Sequence, residues 1–534
     1  MTPGGFSGPS LIQINSPPEQ AIRIAHDRAA ICVSRPDEGE RMPMNAAESL
    51  LSTGDDRQIA LECGEARMTY AQLRDAVSRA AAAWRGLGLE TGDRVLVFAP
   101  DSIDWVIAYL SAIWAGGIAV GLNSRLFEKD LSTVLADCGA RFAYSDPTGT
   151  AMLRQLLAGK SGALRIVDRD EAHSLWDGAS AIATEQRPEE SPAFWIYTSG
   201  TTGVPKGVVH AQRAVIETGS FAQSVLGLDA RARVYASSKL FFAYALGNAL
   251  FAGLRLGATV VLDAEWPTAE RVADIVERHQ PSVMFSVPTL YLKMLQAGIT
   301  RRLGGVRHFV SAGEALPPDV RRLWKEATGI APVSGYGASE TIALLLYCND
   351  DSKLLSISPA VELRVAPGGP DIGQTPQRVW LRHRCVALGY WQRPQAEADS
   401  FDAGWFSPGD LFRRAESGVW EFCGRDDDML KISGQWVSVL DIEQSLIACT
   451  AGSVQQLAAV SDTSRDGLGS IALFAVAAPG KETEARERIE AGIAALPKIK
   501  RPRLVKWIAE MPITATGKLQ RRKLKDLYLA DVFA

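Results

Sequence analysis

The stretch WIYTSGTTGVPKGVVH, Trp195–His210, concentrates groups suited to holding an anion. An apolar run leads into Thr198, Ser199, Gly200, Thr201, Thr202 and Gly203, and Lys206 and Gly207 follow. Glycines let backbone N–H groups approach a phosphate closely, hydroxyls add donors, and a lysine adds charge on a flexible stem. This composition suits a polyphosphate. The spacing is not the GxxxxGK[ST] of a Walker loop, so the fold that carries that loop is not implied. A solvated Ser/Thr/Gly hairpin turn has the same composition, so the stretch alone leaves both readings open.

Four later segments narrow the choice: VSGYGASET (Val333–Thr341), GWFSPGDL (Gly404–Leu411), GRDDDMLKISG (Gly424–Gly434) and PITATGKLQRRKL (Pro512–Leu524). With YTSGTTGVPKG they resemble, in order and separation, the motifs of the adenylate-forming superfamily. That superfamily includes acyl- and aryl-CoA ligases, adenylation domains of peptide synthetases, and luciferases. The resemblance runs from about Met68 to Leu524. It implies activation of a carboxylic acid by ATP to an acyl-adenylate, followed by transfer to a thiol. In the first step a carboxylate oxygen meets the α-phosphorus and pyrophosphate leaves. Two anions must come together, so charge neutralisation is the main demand.

The resemblance also implies roles. Glu340 helps hold Mg²⁺, and the hydroxyl before it, Ser339 in place of the usual threonine, touches phosphate beside Gly337. Tyr336 stacks on adenine, with SAGEAL (Ser311–Leu316), and so Gly313, Glu314 and Ala315, lining the same base. Asp410 accepts the ribose hydroxyls, two acceptor oxygens suiting a cis-diol. Arg425 lies on the ribose side, and Gly434 closes the same hinge segment. Pro408 stands where threonine is common, which removes one donor. Asp427 matches the pivot about which the family's small domain turns between half-reactions, and Lys518, in TATGK, the lysine that bridges carboxylate and α-phosphate.

KLFFAYALGNAL (Lys239–Leu250) sets aromatics beside small residues and resembles the acid-binding stretch of benzoate-type CoA ligases. On that likeness Ala243, Tyr244 and Gly247 flank an aromatic ring, with Val287, Ser311, Gly335, Ile342 and Ala343 nearby. Phe241 and Phe242 fit a core stripe as well as a pocket wall. The benzoate-like enzymes often carry a histidine where Ala343 stands, so hydroxy- and aminobenzoates join benzoate as expected acids. Together these resemblances imply an aryl-CoA ligase using ATP, Mg²⁺ and coenzyme A. A stand-alone aryl adenylation enzyme loading an acyl carrier protein is the first alternative, and a non-catalytic nucleotide-binding member the second. The basic end, with Lys498, Lys500, Arg501, Arg503, Lys506, Arg521, Arg522 and Lys523, suits the phosphates of CoA or an acidic carrier equally.

Strand-like and helix-like runs alternate behind these motifs. DRVLVFAP, RFAYSD, ATVVLD and PSVMFSVP read as strands. SIDWVIAYLSAIWAGG, EKDLSTVLADCG and TAERVADIVERHQ read as helices. Such alternation predicts an α/β fold of largely parallel sheets. Near Gly424 charge and glycine thicken into what reads as a linker. The expected organisation is an N-terminal region, residues 1–426, whose first 45 residues form a loose arm; a hinge at Asp427; and a small mobile α+β cap, residues 428–534.

The bulk properties agree with a multidomain enzyme. The chain has 534 residues and a formal net charge of −4, which gives no electrostatic case for nucleic acid or an anionic membrane. Seven scattered cysteines without a CxxC pair argue against a disulfide framework or a zinc site and for the cytoplasm.

Overall fold

A computed structural model of the chain describes residues 43–158, 164–199, 205–352, 354–365, 376–415, 418–426, 429–432, 435–450, 452–462, 470–512 and 519–533. Of the expected arm, all but residues 43–45 lies outside this set.

Among the described residues two large sheets carry the architecture. The smaller runs, in spatial order, Gly389–Tyr390, Pro205–Ala211, Pro192–Ser199, Ile118–Gly121, Arg94–Phe98, Phe142–Ser145 and Arg165–Asp168. The last five are mutually parallel, and Pro205–Ala211 folds back antiparallel on Pro192–Ser199. The larger has fifteen strands among the described residues. Its parallel core is Ile59–Cys63, Thr259–Leu262, Arg233–Ala236, Val283–Ser286, His308–Ser311 and Val333–Tyr336. Beyond Tyr336 every pairing reverses, through Leu346–Cys348, Leu354–Ile357, Trp420–Arg425, Asp410–Arg414 and Gln377–Arg382. The expectation of largely parallel sheets therefore holds up to Tyr336 and fails after it. Two of these pairs, Leu346–Cys348 with Leu354–Ile357 and Asp410–Arg414 with Trp420–Arg425, are consecutive strands whose short connections permit only an antiparallel arrangement.

The local reasons for the helices are legible. Ser102 accepts from the Trp105 N–H at 3.1 Å and starts the helix Ile103–Trp114, which ends where Gly116 takes φ +82°. Thr69 and Gln72 form a reciprocal cap on Tyr70–Gly86. These two helices share one apolar cluster with strands of both sheets: Leu61 and Val260 from the larger, Val95, Val97 and Phe194 from the smaller. Within it Trp105 stacks on Tyr109 at 4.7 Å, and Phe194 meets Phe251 edge-on at 5.2 Å. Each such buried side chain contributes roughly 1.5–3 kcal/mol, so the cluster fixes the two sheets relative to each other.

The stretch read as a linker is ordered differently. Gly424 lies within the strand Trp420–Arg425, and Met429–Ile432 pairs with Gln435–Ser438 as a hairpin. Leu430 and Val437 are buried there, and that apolar alternation outweighs the surrounding charge. The helix Val439–Cys449 follows, then the strands Val454–Asp462, Ser470–Ala477 and Leu504–Trp507, with the helices Glu482–Ala495 and Arg521–Phe533. The apolar clusters of this region contain only residues from Leu430 onward. Arg521 is drawn inward to the Glu443 carboxylate, at 2.5 and 2.9 Å, which takes it out of the basic face expected of the C-terminal end. Among the described residues no helix is long and apolar enough to cross a membrane.

Candidate active site

In open α/β sheets ligands bind beyond the carboxyl ends of the parallel strands. Ser199, Ser286, Ser311 and Tyr336 all stand at such ends. Thr198 is in register with Lys206, the second residue of the return strand Pro205–Ala211. Gly200, Thr201 and Thr202 themselves lie outside the described residues, as do Asp427, Gly434 and Lys518.

Lys206 reaches across to Glu340, Nζ to Oε1 at 3.7 Å. The Tyr390 hydroxyl donates to the same Oε1 at 2.7 Å, and the Lys206 ammonium sits 3.7 Å from the centre of the Tyr390 ring. Burial pulls the Lys206 ammonium below the usual lysine range, and the Glu340 charge partly restores it. Burial and the neighbouring Glu340 charge push the Tyr390 phenol up, so it remains a donor. The backbone at Glu340 is clamped too. Ala387 N–H donates to the Glu340 carbonyl at 2.8 Å, and His210 Nε2 donates to the Ser339 carbonyl at 2.9 Å. His210 is itself stacked on Phe194 at 4.8 Å, and burial pulls its pKa down to about 4, so it is neutral at pH 7.

Tyr336, Asp410 and Arg425, which the resemblance assigns to the nucleotide, also meet. The Tyr336 hydroxyl donates to Asp410 Oδ2 at 2.5 Å, and Arg425, opposite Asp410 in the strand pair, brings Nε to 3.6 Å from Oδ1. The Tyr336 ring is braced edge-on by Phe412 at 5.2 Å. Pro408 contributes its carbonyl, which accepts from Arg425 Nη2 at 3.4 Å. Gly313 takes φ +88°, a conformation that favours glycine, and Glu314 and Ala315 after it are exposed beside that turn.

The acid-side stretch is built by close backbone packing. Ala243–Ala245 is helical and runs into a π-helix, Leu246–Phe251. A Cβ on Gly247 would lie 1.9 Å from the Ile342 carbonyl oxygen. Asn248 donates from Nδ2 to the Tyr244 carbonyl at 3.1 Å and to the Ile342 carbonyl at 3.4 Å, and accepts from Leu344 N–H at 3.2 Å. Ile342 takes φ +52°, where a β-branched residue is strained, at a cost of order 1–3 kcal/mol. Gly247 and Asn248 hold the turn that follows Glu340 in that conformation. Tyr244 donates to the Val310 carbonyl at 2.9 Å, and Val287 starts the next helix 3.8 Å from the Cβ position of Gly313. Gly335 lies against Leu344, Ala343 is buried, and the Ser311 hydroxyl is wholly buried without a hydrogen-bond partner. Phe241 is buried against Phe242 and Trp266, at 4.3 and 6.3 Å.

Residues 52–391 match the family described as AMP-binding enzyme. The chain is 36% identical, over 92% of its length and 98% of the relative's, to a 3-hydroxybenzoate–CoA/4-hydroxybenzoate–CoA ligase of Thauera aromatica. The chain belongs to the AMP-binding enzyme family. Its fold superposes on an anthranilate CoA ligase solved in complex with anthranoyl-AMP, with a TM-score of 0.82, 28% identity, and 91% and 97% of the two chains covered. It superposes equally on a benzoate CoA ligase from Burkholderia xenovorans LB400, with a TM-score of 0.80, 28% identity, and 90% and 99% covered.

Within this AMP-binding enzyme the family match takes in Lys206, the acid-side stretch, Tyr336, Glu340 and Tyr390, while Asp410 and Arg425 follow it. Three residues of the site escape a reading of motifs. Tyr390 and His210 act on the Ser339–Glu340 turn from sequence separations of 50 and 129 residues. Asn248 sits in the KLFFAYALGNAL stretch, but its polar type amid apolar neighbours was the signal, and it points to a backbone partner 94 residues away.

Proposed function

We propose that the protein is an AMP-forming aryl-CoA ligase, with hydroxy- or aminobenzoates among its acids. The observation that carries this is the meeting of Lys206 and Tyr390 at Glu340, in the segment that follows Tyr336 and its partner Asp410, in a chain matched along its length by hydroxybenzoate–CoA ligases. The acid and ATP give an acyl-adenylate and pyrophosphate; the acyl-adenylate and coenzyme A then give a thioester and AMP.

Each group has a task in this reading. Thr198, Ser199, the Gly200–Thr202 loop, Ser339 and Lys206 face the phosphates. Tyr336, with Gly313, Glu314, Ala315 and Gly337, borders adenine, and Asp410 with Arg425 holds the ribose. Among the described residues no cluster of three or more His, Cys, Asp or Glu can hold a metal ion. A single carboxylate, Glu340, fits Mg²⁺ that arrives on ATP, because this ion is commonly held by one or two carboxylates with phosphate oxygens completing its shell. When bound, Mg²⁺ neutralises charge on the phosphates. Ala243, Tyr244, Gly247, Val287, Ser311, Gly335, Ile342 and Ala343 line the acid slot. The buried, unpartnered Ser311 hydroxyl supports a polar ring substituent, since such a group gains by finding a partner. Lys518 bridges carboxylate and α-phosphate, and the residues from 428 onward turn about Asp427, with Gly434 in the same segment, between the two half-reactions. Coenzyme A as the thiol is supported by the relatives being CoA ligases. A cytoplasmic setting is supported by six cysteines, all free, among the described residues.

The test is a panel of benzoate, its hydroxy and amino isomers, cinnamate and octanoate, read by pyrophosphate and thioester release. Benzoate-like acids are expected to exceed octanoate by at least about 10²-fold in kcat/KM. An enzyme that preferred octanoate would overturn the aryl assignment and leave adenylate formation standing.

A further inference from the structure

Tyr390 is only 3% exposed, and a buried phenol must find an acceptor. A backbone carbonyl would serve. Its hydroxyl instead takes the carboxylate that the proposed reaction needs, at 2.7 Å, and the face of its ring takes the ammonium that the phosphates need, at 3.7 Å. One side chain thus binds both charges of the site, through different parts of itself. The two charges stand 3.7 Å apart, beyond a direct hydrogen bond, so neither fully satisfies the other.

The turn that carries Tyr390 is fastened from outside. Leu388 N–H and Trp391 N–H donate to the carbonyls of Val209 and Gly207, at 2.8 Å each, which fixes the phenol beside Lys206. Asp137, at the end of the helix Glu128–Cys138, ties the same turn to the phosphate hairpin. Its Oδ2 accepts from the Tyr197 hydroxyl at 2.8 Å, its Oδ1 from Arg393 at 2.7 Å, and its carbonyl from the Trp391 indole at 2.9 Å. Trp391 packs on Trp195 at 4.7 Å. A group held this firmly before ligand arrives loses little on reaction, as positioning requires.

We propose that Tyr390 is a positioning residue for adenylate formation: its hydroxyl holds the Glu340 carboxylate and its ring holds the Lys206 ammonium, so that a polyphosphate can draw Lys206 away without releasing Glu340. This rests on the assignment of Lys206 and Glu340 to the nucleotide site. The hydroxyl and the ring have separable tasks. The hydroxyl orients the carboxylate, and so governs how well ATP binds together with a divalent cation. The ring governs the lysine, and so ATP binding with or without the cation.

Tyr390→Phe keeps the ring and Tyr390→Leu removes both features. ATP affinity is measured calorimetrically on the full-length chain with Mg²⁺ and with EDTA, each half-reaction is timed separately, and melting temperatures are recorded. In Tyr390→Phe, ATP binding is expected to weaken about tenfold with Mg²⁺ and to stay unchanged in EDTA. Acyl-AMP formation slows about tenfold, and CoA transfer from supplied acyl-AMP stays within about twofold. Tyr390→Leu weakens ATP binding under both conditions. Tyr390→Phe behaving as wild type, losing ATP affinity equally with and without Mg²⁺, or losing both half-reactions in step with a fall in melting temperature, would overturn the proposal. A wild-type protein that formed no acyl-AMP from any acid would defeat the aryl-CoA ligase reading, while ATP affinity with and without Mg²⁺ would still decide the role of Tyr390.

Discussion

The two sides of this site, the one proposed for phosphate and the one proposed for the acid, are built by different means. Around Glu340 the contacts are polar and come from side chains: a lysine and a neutral imidazole from the strand Pro205–Ala211 and a phenol from the strand Gly389–Tyr390 converge on one turn. Around Ile342, two residues later, the contacts are to backbone, with Gly247 admitting the Ile342 carbonyl and the Asn248 side chain pinning that carbonyl and the one of Tyr244. Charge is managed on one side and shape on the other. Substitutions should therefore change rate and pH response on the first side, and stability and choice of acid on the second.

The strongest break in that contrast is Lys518→Ala. This lysine is the one proposed to bridge carboxylate and α-phosphate, and on that proposal its loss is expected to slow acyl-AMP formation by about 10²-fold or more, the scale of one transition-state charge contact. Rapid-quench measurement of each half-reaction should show CoA transfer from supplied acyl-AMP little changed. Equal loss in both would remove Lys518 from the charge-managing side.

The next concerns His210. Burial holds it at about 4, below the ordinary 6.5, so the unfolded chain binds more protons between those values. Its contribution to stability is complete above pH 6.5 and is lost as pH falls through 4. The loss amounts to about 3 kcal/mol at the low end. His383, also held at about 4 by burial, acts in the same direction. Asp101, raised by burial to about 7, acts in the opposite one, its stability contribution declining as pH rises toward that value. The measurement is therefore a difference: urea unfolding of wild type and His210→Gln at pH 7 and pH 4.5, in which the variant should lose less on acidification. Parallel curves would mean that the imidazole does not titrate as its surroundings require.

Gly247→Ala probes the side governed by shape. Its added carbon meets a backbone carbonyl, which cannot swing aside as a flexible side chain would. A destabilisation of about 2 kcal/mol or more is expected, at the upper end of overpacking, with the pH dependence unaltered. An unchanged unfolding midpoint would show that this wall yields. The smallest effect is Ser311→Ala. If the buried hydroxyl meets a ring substituent, the ratio of hydroxybenzoate to benzoate in kcat/KM falls about fivefold, the size of one ordinary hydrogen bond. An unaltered ratio would place the substituent elsewhere.

How much of this could be read beforehand followed sequence distance. The Thr/Gly/Lys stretch, the segment around Glu340 and the segment leading into Asp410 are contiguous motifs, and the structure brings Lys206 to Glu340 and Tyr336 to Asp410. The parallel strands and their helices were legible because apolar runs of regular length alternate with capped amphipathic ones, as at Ser102 and Thr268. The antiparallel stretch after Tyr336 was not legible. Its strands are two to six residues long, too short for a period to declare itself. The hairpin at Met429–Ser438 was hidden by the charged run Arg425–Asp428 that precedes it in the sequence. Tyr390 and His210 gave no local sign, since an aromatic or a histidine on an apolar strand is ordinary core until its partner is known.

The π-helix Leu246–Phe251 has a consequence of a different kind. Such a turn spans one residue more per hydrogen bond than an α-helix, the geometry expected of a single codon inserted into a regular helix. Removing one residue here would restore the ordinary winding locally and shift the side chains within the turn while leaving the helix beyond it in register. Gly247 and Asn248 would then no longer both face the Ile342 turn. The breadth of the acid slot is thus open to revision by chain length as well as by side-chain identity, and a one-residue deletion could remodel it while leaving every motif of the phosphate side intact.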